Sequence, residues 1–419
     1  MPIWEMVAGI NAGQTVGNTA SALFPLASIA SSTGTEGRVQ AKVYASYTWA
    51  NLYARCTVFA APTDPSVRSR IGAVNGNLLA TVTGTGAFQD TTNSDSPVDQ
   101  NLVNYQIANS GGGSKTFTIL GSTLQDDTTN TTLNITSSNV GTNTVAFGIN
   151  RYAPVEGRIH GTAVADLAAT ETDVQYTVRR ATTYSNTRVF IRSNGLDAAS
   201  VWRFRVDAGN GNQSISIGSL ATGAFEDTTN SDVVSAGSEI DYNLDTTAST
   251  VSNIAPTLTQ VRHTSTGREM AAGVCRPAAS TADNYFVAEA DMGTTTTESD
   301  TQTAARAAFT AKNLMVNVTA HAAGAASDIF LRVDTANSAL TVNVPASTTG
   351  IIEDTTNQVT VAIAALYNYF LDKGTESITL SIIGMEQEPG AGAGRGYPGQ
   401  MHNRRPRAGR LGQGFRVPR

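Results

Sequence analysis

The chain has 419 residues, 40% of them hydrophobic and only 15% charged, where ~25% charged is usual. At roughly 150 residues per domain, the length suggests about three domains. Abundant Thr, together with 38 Gly, favours strands joined by turns; a coiled coil or helical bundle, which needs Glu, Lys, Ala and Leu at helical spacing, is excluded. The net charge is −6, but residues 390–419 hold seven Arg and no Asp or Glu, which leaves 21 basic against 34 acidic side chains on the rest. An acidic body repels nucleic acid and anionic membrane, so only the tail has a charge that suits nucleic acid.

The N-terminus, Met1-Pro2-Ile3-Trp4-Glu5-Met6, lacks the basic region and apolar run of a signal peptide. No run of about 18 apolar residues occurs, so no membrane-spanning helix is expected. Residues 1–20 read as an N-terminal arm with Trp4 as its assembly anchor, beside Ile3 and Met6. The alternative is an ordinary terminal strand that completes the first sandwich.

Three copies of one unit follow. Gly86-Ala87-Phe88-Gln89-Asp90-Thr91-Thr92-Asn93-Ser94-Asp95 returns as Gly223-Ala224-Phe225-Glu226-Asp227-Thr228-Thr229-Asn230-Ser231-Asp232, with a single change, Gln89 to Glu226. A third copy begins Gly350-Ile351-Ile352-Glu353-Asp354-Thr355-Thr356-Asn357. Tyr105, Tyr242 and Tyr369 each stand at the same offset after their Asp, and Arg70, Arg205 and Arg332 stand at nearly the same offset before it. The repeat is therefore domain-wide. A fainter echo at Asp127-Thr128-Thr129-Asn130 reads as a fragment or a coincidence. The expected domains are residues 21–145, 146–275 and 276–389, followed by the tail, 390–419. Such a period is too long for a solenoid, whose units run to roughly 20–50 residues.

Within each unit the apolar residues alternate, as at Val174, Tyr176 and Val178, at Ile240, Tyr242 and Leu244, and at Val359, Val361 and Ile363. Period two with one apolar face marks half-buried antiparallel strands. Turn clusters such as Asp207 to Asn212 separate them. Thr303 to Lys312 is Ala-rich and helical by propensity, but its counterparts around Tyr44 and Val178 are strand-like, and consistency between copies assigns strand. The fold class is all-β: tandem antiparallel β-sandwich, jelly-roll-like domains of seven or eight strands.

The conspicuous residues carry little chemistry. Asp90, Asn93, Asp227, Asn230, Asp354 and Asn357 read as a structural repeat turn, in which Asp accepts backbone hydrogen bonds. A calcium reading of the block fails in the third copy, which has Gln358-Val359 where the others have Ser-Asp. Arg70, Arg205 and Arg332 call for structural partners, most simply an ion pair with a repeated Asp. Cys56 and Cys275 read as buried free thiols, and Trp49 and Trp202 as core or interface residues. None of His160, His263, His321 and His402 shares a metal-ligand spacing, and no nucleophile elbow, zinc helix or phosphate loop is present. No catalytic residue, metal or cofactor is expected. The tail, with Arg395, Arg404, Arg405, Arg407, Arg410, Arg416 and Arg419 among Gly and Pro, forms no regular element alone and orders on a partner.

The repeated Gly-Ala-Phe-Gln/Glu-Asp-Thr-Thr-Asn-Ser-Asp blocks, set in Thr/Asn/Gly-rich sandwiches with an acidic body, resemble virion structural proteins of tailed bacteriophages. Capsid decoration, head-fibre and tail or baseplate components are the nearest kinds. The resemblance implies a non-enzymatic protein located in the virion, self-associating as a dimer or trimer and bound to other virion structural proteins. On that view the repeats form a rod or platform, and the arm and tail dock to neighbours. A capsid shell subunit is also open. The main rival is a bacterial or archaeal extracellular filament subunit or adhesin, and a carbohydrate-active enzyme is the third reading.

Overall fold

A computed structural model describes residues 3–389, apart from 17–20, 30–32, 61–62, 110–112, 127–130, 138–143, 159–166, 281–282, 289–294, 323 and 374–376. The Arg tail and the echo at 127–130 therefore lie outside the described residues, as does the side chain of Cys275. The chain is all-β, with short 3-10 turns at Glu36–Arg38, Glu171–Asp173 and Glu298–Asp300.

Eight principal strands recur three times. Domain one has β1 (Ile3–Val16), β2 (Ser21–Phe24), β3 (Tyr47–Phe59), β4 (Ser66–Ile71), β5 (Val74–Thr81), β6 (Gly86–Asp95), β7 (Leu102–Ala108) and β8 (Lys115–Asp126). Domain two has β9 (Thr131–Ser137), β10 (Asn150–Ala153), β11 (Thr182–Asn194), β12 (Ser200–Val206), β13 (Gly209–Ile217), β14 (Gly223–Val234), β15 (Glu239–Asp245) and β16 (Asn253–Thr264). Domain three has β17 (Arg268–Ser280), β18 (Asn284–Phe286), β19 (Phe309–His321), β20 (Ser327–Val333), β21 (Ala336–Val344), β22 (Gly350–Val361), β23 (Leu366–Asp372) and β24 (Ile378–Pro389). In domain one, one sheet runs β1-β8-β3-β6 and the other β2-β7-β4-β5, and both orders repeat in the other two domains. First strand beside last and second beside seventh, folded into two four-stranded sheets, is jelly-roll topology.

Three local devices repeat with the sheets. Asn51, Asn186 and Asn313 have φ of 56°, 57° and 53° and sit where the pairing of β3, β11 and β19 slips. Asn tolerates the left-handed region better than most residues, so it suits a bulge that re-aims a long strand. The β4–β5 turn and its counterparts are two-residue turns with both φ positive, at Gly72-Ala73, Asp207-Ala208 and Asp334-Thr335, the form that matches strand twist. Between the sheets lie aromatic pairs: Trp49 with Tyr105 at 5.7 Å, Trp202 with Tyr242 at 5.5 Å, and Phe309 with Tyr367 at 5.3 Å. Trp49, Trp202 and the three repeat tyrosines are fully buried, and Cys56 is a buried free thiol. Thr303-Ala304 is a short strand and Phe309 opens β19, so the Ala-rich stretch is not a helix.

Two expectations are corrected. Residues 1–20 are not an arm: β1 pairs with β8 on one side and with the two-residue strand Ser28–Ile29 on the other, and Trp4 is fully buried. Its indole belongs to the first sandwich because β1 is that sandwich's own first strand. The expected boundaries at 145/146 and 275/276 likewise fall beyond the starts of the first strands β9 and β17, which belong to the domains that follow them.

The domains do not form a rod. The first sheets of domains two and three join into one ten-stranded sheet through Gly157–Arg158, which pairs in parallel with β9 and with β17. Ser28–Ile29, the matching segment of domain one, pairs with β1 and lies against β9. Domain three in turn packs on domain one through Val287 and Arg306, so the three sandwiches close into a ring.

Candidate functional site: the joints between domains

The repeated block supplies two different things. Inside each domain its Asp closes a turn. Asp90 accepts from the backbone N–H of Thr92 (3.1 Å), Asn93 (3.0 Å) and Leu79 (2.9 Å), from the Thr92 hydroxyl, and from Asn93 Nδ2. Asp227 and Asp354 accept the same five bonds from Thr229, Asn230 and Ser214, and from Thr356, Asn357 and Thr341. Burial pushes these carboxyls up, but the donors outweigh it: Asp90 and Asp354 lie below the usual carboxylate range, and Asp227 is held at about 2. Asp95 and Asp232 accept from Asn77 N (2.7 Å) and Asn212 N (2.6 Å) on the neighbouring strand. In the third copy Val359 packs on the core instead. Carboxylates satisfied by donors in this way have little capacity left for a cation. Among the described residues no group of three or more His, Cys, Asp or Glu could hold a metal ion.

The residue before each Asp faces outward and reaches another domain of the chain. Glu226 of domain two meets Lys42 Nζ (2.6 Å) and Tyr44 Oη (3.3 Å) of domain one. Glu353 of domain three pairs with Arg179 of domain two. Gln89 of domain one accepts from Arg306 of domain three. Tyr44, Arg179 and Arg306 are matching positions, each just beyond the short strand Ala41–Lys42, Tyr176–Thr177 or Thr303–Ala304. The apolar contacts rotate in step. Leu133, Ile135 and Leu258 of domain two join the core of domain one, and Met315 and Ile382 of domain three join that of domain two. Val7, Tyr53 and Ile119 of domain one enclose Val287 of domain three. Ile119, Leu258 and Ile382 occupy matching places in β8, β16 and β24. Each domain thus lays the outer face of its first sheet on its predecessor, and the order closes.

The joints differ in chemistry. Between domains one and two, Gln260 grips the backbone of Lys42, accepting from its N–H and donating to its carbonyl, both at 2.8 Å. Between two and three, Arg180 reaches Glu386 (2.9 Å) and Glu388 (3.1 Å), and Lys312 holds Glu388 at 2.7 Å. The fully buried Arg268 meets Glu156 at 2.5 Å. Hydrogen bonds from Lys312 and Arg180, in that order of effect, hold the Glu388 carboxyl below its ordinary range against burial. Between three and one, the Arg306 guanidinium lies 4.4 Å from the Tyr53 ring centre, and the neutral Gln89 stands where the other joints have a Glu.

The repeated Arg has a structural partner, but it is a Glu rather than the expected Asp. Arg70, Arg205 and Arg332 each form a two-pronged pair with Glu36, Glu171 or Glu298, 34 residues upstream. Each also donates to an Asn side chain (Asn75, Asn210, Asn337) and to the carbonyl of its left-handed turn. The planar fork allows one side chain to tie several groups. Domain two adds a fully buried Asp241, 4.0 Å from Arg205, where the other domains have Asn104 and Asn368. Burial, then the Glu171 charge, pushes its carboxyl well up. The constant Glu-to-Arg offset, and the constant offset from Asn51, Asn186 and Asn313 to the same Arg, were readable signals for the clamp and the bulge.

Of the sequence-predicted residues, the six of the repeat turn are brought together pairwise within each domain. Trp4 is in the core, and the tail residues Arg395 to Arg419 lie outside the described residues. His263 is buried with its imidazole driven down to about 3 by burial and Arg268, so it stays neutral. No described helix is long and apolar enough to cross a membrane.

No protein-family model matches the chain, and no curated protein matches it. Among solved structures, one described as "The Triple Jelly Roll Fold and Turret Assembly in an Archaeal Virus" aligns over 89% of this chain and 90% of its own at 10% identity, with a TM-score of 0.19. Another, described as "Life in the extremes: atomic structure of Sulfolobus Turreted Icosahedral Virus", aligns over the same shares at 11% identity and a TM-score of 0.20. Neither description concerns a tailed bacteriophage. At such TM-scores these likenesses carry no argument, and the fold rests on the strand order above.

Proposed function

We propose that the protein is a non-enzymatic structural subunit of a virus particle, built into or onto the capsid. The observation that carries this reading is the ring: three jelly rolls joined by matching contacts into one block with three similar sides. Covalent linkage lets each side carry its own residues, which three identical chains cannot do. The block devotes its repeated polar residues to turns and joints, and they have hydrogen-bond or ion-pair partners there.

Among the finer roles, a closed block suits a shell or capsid-surface position better than a head fibre or tail fibre, which calls for an extended rod. A donor-strand filament needs a sandwich completed by a neighbour's strand, and β1 completes its own domain by pairing along β8. The test is density-gradient sedimentation of the native source with protein identification across fractions. Co-migration at fixed stoichiometry with nucleic-acid-containing particles is expected. Migration with nucleic-acid-free filaments or cell envelope would overturn the reading in favour of a surface filament or adhesin.

A further inference from the structure

The second sheets of the three domains share topology but not surface. On domain three, Tyr285, Phe370 and Phe330 stand opposite one another on the adjacent strands β18, β23 and β20. They are half-buried, with ring centres 4.8 Å apart for Tyr285–Phe370 and 6.2 Å for Phe330–Phe370. Domain one has Leu23, Gln106 and Arg68 in this row, and domain two has Tyr152, Asn243 and Arg203. Beside the aromatic row, one pleat further along, Asp372 and Asp328 face each other, with Asp283 adjoining and Lys373 N donating to it. The rings already receive one guanidinium from the other side: Arg332 lies 5.2 Å from the Phe370 centre and 5.8 Å from that of Tyr285.

Carboxylates beside aromatic faces recognise guanidinium groups, by ion pairing and by attraction to the ring quadrupole. The chain itself carries such groups beyond β24, where residues 390–419 hold seven Arg and no acid. The geometry also separates the two. The acidic row adjoins the start of β24, and β24 then runs away from it to Pro389, roughly 40 Å at strand rise. The tail therefore leaves the domain at the far end from its own acidic row.

We infer that the aromatic and acidic face of domain three is the docking surface for the Arg-rich tail, residues 395–419, of a second copy of this chain. This rests on the structural-subunit reading but concerns contact between copies, which is measurable without a particle. The experiment is sedimentation velocity of full-length chains in low salt. Wild type is expected to associate with rising concentration and to return to the 43.7 kDa monomer in high salt, where ionic contacts are screened. One variant loses the face (Phe330→Ser with Phe370→Ser) and a second loses the tail charge (Arg404→Gln, Arg405→Gln, Arg407→Gln and Arg410→Gln). Each alone is expected to stay monomeric, and their equimolar mixture is expected to form a heterodimer of twice the monomer mass, because one intact face then meets one intact tail. Asp328→Asn with Asp372→Asn, which leaves the aromatic row in place, is expected to weaken association at least tenfold should the Ser variant not fold. A wild type that stays monomeric, a mixture that fails to associate, or a face variant that associates like wild type would overturn the inference. A mixture that fails while the tail remains protected on its own domain would instead point to docking within one chain.

Discussion

The joint between domains two and three and the joint between domains three and one use the same strands for different chemistry. The first is covalently linked, carries a continuous sheet through Gly157–Arg158, and buries Arg268 with Glu156 beside the cluster of Arg180, Lys312, Glu386 and Glu388. The second has no linker. It relies on Val7, Tyr53, Ile119 and Val287 and on one guanidinium over a ring. Glu353 in one becomes Gln89 in the other. Two of the ring's three joints thus follow the chain and carry a Glu at the repeat position, and the third is a seam marked by Gln89 there.

Breaking the joint between domains two and three should cost most. Arg268→Met removes the guanidinium from the buried Glu156 carboxylate, which keeps its hydrogen bond from Asn134, and loss of one member of a buried pair costs roughly 3–5 kcal/mol; a large drop in the urea midpoint of domains two and three checks it. Ile119→Asp should act on the seam instead, since a carboxylate cannot stay in that apolar contact. The expected outcome is an opened ring with unchanged far-UV circular dichroism, read as a larger radius of gyration. Acid should separate the joints by a smaller margin. The Glu388 carboxyl is depressed in the folded state, so its contribution is complete above the ordinary Glu range and fades as pH falls through and below it. At the matching place in the seam, Gln89 has no carboxyl to titrate. Amide protection on β24 should therefore fall below about pH 4.5, the ordinary Glu value, while that on β8 holds. Gln89→Glu should erase part of the contrast by placing at the seam the carboxylate that the other two joints have, a gain of up to ~1 kcal/mol at this exposed site, seen as a slightly higher melting temperature.

Much of a single domain was legible in the sequence. Alternation at Tyr242 and Leu244, the Asp turn, the constant step to Tyr105, Tyr242 and Tyr369, and the strand character of Thr303–Ala304 all describe one sandwich. The first strands were not legible. Every residue of Thr131–Ser137 is buried, because β9 is covered on both faces, and the alternation of Leu133 and Ile135 among Thr, Asn and Ser is too short a run to mark a strand. The same cause placed Trp4 on an arm. Ring closure was hidden for another reason: the joint partners Tyr44, Arg179 and Arg306 hold one position but do not share one chemistry, and their contacts join residues such as Lys42 and Glu226 from different copies. The candidate site was therefore half visible, the Asp in the turn but not the residue before it in the joint.

The closed ring is the claim on which the functional reading stands, and small-angle X-ray scattering of the full chain in high salt tests it most directly. A compact fold of this length has a radius of gyration of about 22 Å, somewhat raised by the tail, and a closed ring should give a value close to that with a single-peaked distance distribution. Three sandwiches in a line would give about 30 Å or more on the same scaling, with a long tapering distribution, and that result would contradict it.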